Sequence, residues 1–171
     1  NLLDACVEKK VKRLLFISST TVYPLTDYPV KEDEAFKGEV FDSYLGVGWM
    51  KRYTEKLCEF YYKKYGLGCA IIRPVNFYGE HEKSDENISH VIPALIQRTL
   101  KKEDPFVVWG DGTAVRDFMH VDDVVQACLY ALELKADADP INIGTGVKTT
   151  IRDLLPIIFK ETEFEPKEIK Y

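Results

Sequence analysis

Apolar positions recur along the chain with two periods, and their alternation sets out an architecture. Leu2, Leu3, Cys6 and Val7 fall at helical spacing and predict a helix over residues 1–9. The nearly continuous run Arg13-Leu14-Leu15-Phe16-Ile17-Ser18 predicts a strand buried on both faces, as in a parallel sheet. Residues 24–42 carry prolines and charges without periodicity and read as a surface loop. A long helix follows over 43–65, with Tyr53, Leu57, Phe60 and Tyr61 as its apolar face and Gly66 as its stop. Cys69-Ala70-Ile71-Ile72-Arg73 is a second buried strand, broken by Pro74, and residues 80–88 are a polar loop. Val91 to Leu100 is helical with Pro93 in the first turn, Pro105–Trp109 is a short strand, and Gly110-Asp111-Gly112 is a turn. Residues 115–121 are extended, and Asp122 is placed to cap a helix reaching about Leu134. Ile141-Asn142-Ile143-Gly144 is a further strand, and Thr149 or Thr150 caps a last helix to about Lys160. Strands and helices alternate throughout, so the fold class is α/β.

Composition narrows the function. With 171 residues the chain is long enough for a sizeable core, and a formal net charge of -5 argues against a nucleic-acid partner. The pairs Lys9-Lys10, Lys63-Lys64 and Lys101-Lys102 fall near expected helix C-termini, where positive charge is favourable without any phosphate to bind. Cys6, Cys58, Cys69 and Cys128 are scattered with no CxxC pair, which suits reduced thiols and a cytoplasmic location. No apolar run nears the roughly 20 residues of a membrane span, so no membrane role is expected. The chain opens on Asn1, directly inside a helix-like stretch, and is expected to lack an N-terminal part.

Three polar clusters follow buried strands: Ser18–Thr21, Arg73–Tyr78 and Gly144–Gly146. In a doubly wound sheet such strand ends share one edge, where ligands bind. Hydroxyls, the Asn76 amide, the imidazoles of His81 and His90, and the guanidinium groups of Arg98 and Arg116 are therefore candidates for one cleft. That set suits proton transfer on a polyol and the binding of a diphosphate. The histidines lack partners at metal-ligand spacing, and no GxSxG elbow is present, so neither a metal centre nor a serine nucleophile is expected.

The order of motifs is more specific than any one of them. Ser18-Ser19-Thr20-Thr21-Val22-Tyr23 is followed by a Tyr/Lys helix and by Arg73-Pro74-Val75-Asn76-Phe77-Tyr78-Gly79. Then come Arg116-Asp117-Phe118-Met119-His120-Val121-Asp122-Asp123 and Asn142-Ile143-Gly144. This order resembles the extended short-chain dehydrogenase/reductase family, also called the NAD-dependent epimerase/dehydratase family. Ser89-His90-Val91-Ile92-Pro93, Val107-Val108-Trp109-Gly110 and Gly144-Thr145-Gly146 are most similar to its GDP-L-fucose synthase branch, which pairs 3,5-epimerisation with NADPH-dependent 4-reduction. The resemblance covers about residues 1–160. It implies a partial Rossmann-like, doubly wound parallel sheet with a smaller C-terminal substrate-binding region. Residues 1–79 would be the C-terminal half of a dinucleotide-binding domain and 80–171 mainly the substrate region, with strand 140–144 returning to the sheet. The family's glycine-rich phosphate loop, GxxGxxG, does not occur in this chain.

Roles carry over from the resemblance residue by residue. Ser19 corresponds to the catalytic hydroxyl and Lys51 to the lysine that holds the nicotinamide ribose. Ser18, Lys51, Pro74 and Val75 are the implied contacts to NADP or NAD. Asn76, Arg98, Trp109 and Arg116 are the implied contacts to the sugar-nucleotide substrate, Arg116 the firmest of them, with an ion pair to Asp117 or Asp122 as its less favoured alternative. The family tyrosine four residues before the lysine is replaced by Val47, which cannot carry a proton. Tyr44 is the nearest phenol, and an alternative alignment pairs Tyr44 with Gly48 and loses the lysine instead. Of the branch's Cys/His acid–base pair, the cysteine position falls on Thr21 and the histidine on His90. Two readings stand: an NAD(P)-dependent sugar-nucleotide epimerase/reductase, or a sugar-nucleotide-binding protein without turnover. The resemblance also implies a homodimer built partly on the helix at 43–65.

Overall fold

The computed structural model describes residues 1–82 and 89–171, so part of the polar loop expected at 80–88 lies outside the described residues. The chain forms two compact units, residues 1–75 with 122–144, and residues 76–121 with 145–171. The sequence boundary at residue 79 placed the helix after Asp122 in the substrate region. Its residues 122–134 belong instead with the first unit, because their apolar face packs on that unit's sheet.

The first unit is a parallel sheet with helices on both faces. Its strands are β1 (Arg13–Ile17), β2 (Gly68–Pro74) and β7 (Ile141–Ile143), in the order β1-β2-β7. The register sets Arg13 beside Gly68 and Ile17 beside Ile72, then Ile72 beside Ile141 and Pro74 beside Ile143. The central β2 is buried from Cys69 to Pro74, which explains why its sequence shows no polar alternation. Its side chains still alternate between faces. Cys69 and Ile71 pack with Leu3 and Cys6 of α1 (Leu2–Glu8) and with Cys58 and Tyr61 of α2 (Leu45–Tyr65). Ala70 and Ile72 pack with Cys128, Ala131 and Leu132 of α4 (Val121–Leu134). Each fully buried isoleucine stabilises the fold by about 1.5–3 kcal/mol.

The helix ends follow local chemistry. Asn1 and Asp4 form a reciprocal capping box on α1, and Gly66 closes α2 in the left-handed conformation at φ 69°. Helix α4 starts at Val121, so Asp122, expected as its cap, lies instead in its first turn beside Asp123.

The second unit gathers short strands around two helices. β3 (Asn76–Tyr78) pairs in parallel with β6 (Phe118–His120), β4 (Phe106–Val107) in parallel with β9 (Ile169–Lys170), and β5 (Val115–Arg116) antiparallel with β8 (Thr149–Thr150). Its core joins Leu95 of α3 (Val91–Leu100) with Phe106, Val108, and Leu154, Leu155 and Ile158 of α5 (Ile151–Glu161). Thr150 caps α5 reciprocally with Asp153.

Candidate functional site

The parallel order of β1, β2 and β7 brings their C-terminal ends to one edge of the first unit. The chain leaves β1 with the Ser18 N–H donating to the Ile72 carbonyl at 2.7 Å, and leaves β2 with the Val75 N–H donating to Ile143 at 2.9 Å. Beneath this edge lies a charged network that sequence reasoning missed. Arg73 grips Glu55 of α2 with two parallel hydrogen bonds, Nε to Oε1 at 2.9 Å and Nη2 to Oε2 at 2.7 Å. The Ser18 hydroxyl donates to the same carboxylate at 2.5 Å. Arg73 also donates to the Tyr23 hydroxyl at 2.8 Å, and Tyr23 donates to Asn142 Oδ1 at 2.5 Å. Burial opposes the Arg73 charge, but hydrogen bonding and the Glu55 carboxylate outweigh it and hold its pKa above the ordinary value. Burial raises the Tyr23 phenol, and the neighbouring Arg73 offsets this only partly. The signal available in the sequence was a charged residue on each of two otherwise inward-facing stretches.

Ser18, an implied cofactor contact, is buried, and its hydroxyl is engaged by Glu55, where it braces the strand end. Pro74 is buried and Val75 half-buried at the end of β2.

Above the network, α2 passes very close to the turn after β1. A Cβ built on Gly48 would lie 2.5 Å from the Thr21 carbonyl oxygen and 2.5 Å from Val40 Cγ1. That approach lets Lys51, one turn further on, reach the strand end. Its Nζ donates to the Ile17 carbonyl at 2.7 Å and stands 5.1 Å from the Phe16 ring centroid. The Ser19 hydroxyl accepts from the Thr21 N–H at 3.1 Å, capping a short 3-10 turn over Thr20–Val22. The Thr21 hydroxyl is buried with no hydrogen-bond partner among the described residues.

Val47 is exposed. Helix α2 begins at Leu45, and Tyr44 belongs to a preceding 3-10 turn over Asp42–Tyr44. Its ring is 42 % exposed and stands edge-on to Phe41 at 5.8 Å. The structure does not join its hydroxyl to Ser19 or Lys51, whose hydrogen bonds go to Thr21 and Ile17.

In the second unit, Asn76 is exposed on β3. His90 precedes α3 and meets Glu82 at 2.6 Å, Nδ1 to Oε1. His81 and His90 line one pocket of about 290 Å³ together with Phe77, Tyr78 and Glu82. Arg98 does not line that pocket. It is held at the end of α3 by Glu103 at 2.7 Å and lies 4.6 Å from the Phe106 ring centroid. Trp109 is 91 % exposed. Arg116 is exposed and donates, among the described residues, to its neighbour's carbonyl, Val115, at 2.8 Å. Asp117, one of its expected ion-pair partners, instead accepts from the Thr145 hydroxyl at 2.5 Å and the Gly146 N–H at 2.9 Å. Among the described residues, no group of three or more His, Cys, Asp or Glu is placed to hold a metal ion. No helix among them is long and apolar enough to cross a membrane.

Residues 1–144 match the NAD dependent epimerase/dehydratase family. GDP-L-fucose synthase of Escherichia coli (strain K12) is 34% identical, with the alignment covering 99% of this chain and 57% of that protein. A UDP-glucose 4-epimerase of Thermotoga maritima, solved with UDP-glucose, superposes at a TM-score of 0.85 and 30% identity, covering 99% of this chain and 53% of that one. A GDP-L-fucose synthetase of Naegleria fowleri bound to NADP superposes at 0.88 with 25% identity, over 99% of this chain and 56% of that one. The chain spans about half the length of the curated relatives it matches.

Proposed function

The chain belongs to the NAD-dependent epimerase/dehydratase family, and from that premise we propose that the protein is an NAD(P)-dependent epimerase/reductase of a GDP-sugar of the 4-keto-6-deoxyhexose type. The observation that carries this reading is the delivery of Lys51 to the exposed C-terminal end of β1, the strand that leads into Ser19 and Thr21. The same geometry favours the alignment that keeps Lys51 as the family lysine over the one that pairs Tyr44 with Gly48.

These residues fit the nicotinamide ribose of NADP or NAD. An ammonium has three donors, and Lys51 has two left beyond Ile17 for ribose hydroxyls. When bound, the cofactor supplies hydride exchange at the sugar C4. Ser19 hydrogen-bonds the C4 oxygen through its free O–H. His90 exchanges the protons next to the ketone, a general acid–base task that an imidazole within reach of that carbon can perform. Asn76, Trp109 and Arg116 meet the diphosphate and nucleotide, with the Arg116 guanidinium as the main phosphate contact. Arg98 contributes only through the N–H groups that Glu103 leaves free.

A second reading is favoured by a specific observation. Val47 has no proton to give, and the Tyr44 hydroxyl is not joined to Ser19 or Lys51. On that reading the protein binds a sugar nucleotide without turning it over. NADPH consumption, followed at 340 nm with GDP-4-keto-6-deoxymannose, separates the two. Calorimetric binding of the GDP-sugar with no NADPH consumption would sink the reductase reading.

The protein pairs as a homodimer through the outer face of α2. Met50, Tyr53 and Phe60 stand exposed at helical spacing along it. Light scattering should give twice the chain mass, and Tyr53→Glu with Phe60→Glu should reduce it to the monomer.

A further inference from the structure

The chain leaving β3 turns back on itself within a few residues. Gly79 is needed there, since a Cβ on it would fall 2.4 Å from Val121 Cγ1. His81 then adopts φ 67°, a left-handed conformation that a non-glycine residue holds only at a cost. The turn aims Glu82 at His90, eight residues on, with Nδ1 and Oε1 at 2.6 Å. The two side chains are unequally covered: Glu82 is 19% exposed and His90 82%. The carboxylate is thus the held member of the pair, and the imidazole presents its far side to solvent. An exposed pair of this kind contributes little to stability, so stability does not explain the strained turn.

The chemistry of the pair gives a reason. An ionised carboxylate only accepts hydrogen bonds, so Nδ1 must carry the proton. In the neutral ring Nε2 then bears the free lone pair. We propose that Glu82 is a positioning residue that locks His90 as the Nδ1–H tautomer and leaves Nε2 as the proton-exchanging atom; this rests on the reading of His90 as the group that moves the protons. In the exchange step the C–H bond next to the ketone breaks and its proton forms the Nε2–H bond. The released electron pair passes to the carbonyl oxygen as an enolate. The imidazolium so formed faces the Glu82 carboxylate, which stabilises it until the proton returns. Glu80, His81 and the Tyr78 phenol also line this pocket.

The tautomer can be read in the intact protein without cofactor, from imidazole 15N shifts of labelled histidine assigned with His90→Asn. The wild type is expected to show His90 mainly as Nδ1–H at a pH above its titration. Glu82→Ala should return it to the Nε2–H form usual for a free imidazole, and Glu82→Asp should restore part of the effect. Deuterium exchange from solvent into GDP-4-keto-6-deoxymannose gives the second readout. Glu82→Ala is expected to lower kcat for exchange about tenfold or more, with KM within about twofold and an unchanged unfolding temperature. The same tautomer in wild type and Glu82→Ala overturns the proposal. So does wild-type exchange in Glu82→Ala while His90→Asn is inactive, and in that case the His90 reading stands. If His90→Asn exchanges at the wild-type rate, both fall.

Discussion

Val47 lies one helical turn before Lys51, where the family resemblance places a tyrosine. The ammonium beside it is positioned to lower a phenol's pKa, so restoring the phenol should restore a proton carrier. Val47→Tyr is expected to raise NADPH-dependent reduction about tenfold or more, measured at 340 nm. If Val47→Tyr has no effect and Tyr44→Phe abolishes turnover, Tyr44 is the carrier in its place. A second residue, Tyr23, reports through pH. Burial raises its phenol above the usual value, so the folded pKa exceeds the unfolded one. The stability gained by keeping it neutral is complete below about pH 10 and is lost as pH rises through the folded value. Urea midpoints are therefore expected to fall above about pH 10. Tyr23→Phe should be less stable at neutral pH, because it loses its bonds to Asn142 and Arg73, yet show a shallower alkaline fall. An equal slope in both proteins would remove Tyr23 from the account.

At the scale of elements, the close approach of α2 to the turn after β1 sets the position of Lys51, and Gly48 permits it. Alanine would favour the isolated helix by about 1 kcal/mol. Here its methyl would meet the Thr21 carbonyl and Val40 at 2.5 Å, and backbone cannot give way as a side-chain tip can. Gly48→Ala is expected to destabilise the protein by about 1–3 kcal/mol, as overpacking does, and to weaken cofactor binding by moving Lys51 off the strand end. Chemical denaturation and NADPH titration check the two effects. The elements themselves were legible because their periods differ: β2 reads as an unbroken apolar run, and α2 ends at a glycine that takes the left-handed conformation. The site was legible only in part. Lys51 reaches the end of the strand that leads into Ser19. The Glu55–Arg73 pair was hidden, because a charge buried by a partner 18 positions away leaves no local pattern. The strand β9 was hidden for a similar reason, since its two residues gain strand form only by pairing with β4.

At the scale of the molecule, the stretch matched to the family ends at Gly144, but the second unit does not. The described first unit lies wholly within that stretch: β1, β2, β7, α1, α2 and α4 all precede residue 145. The second unit draws Leu154, Leu155 and Ile158 from α5 into the core that covers Leu95 and Phe106. Burying three such side chains stabilises by roughly 5–9 kcal/mol, comparable to the whole stability of a typical domain. Ending the chain after Gly144 would also remove β8 from β5, and it would take the Thr145 and Gly146 partners from Asp117. The shortened chain is expected to keep slow amide exchange in β1, β2 and α2 and to lose it throughout α3. Hydrogen exchange read by mass spectrometry resolves the two regions. Protection of α3 in the shortened chain would show that its core stands without α5. Loss of protection in β2 as well would show that the first unit depends on the second.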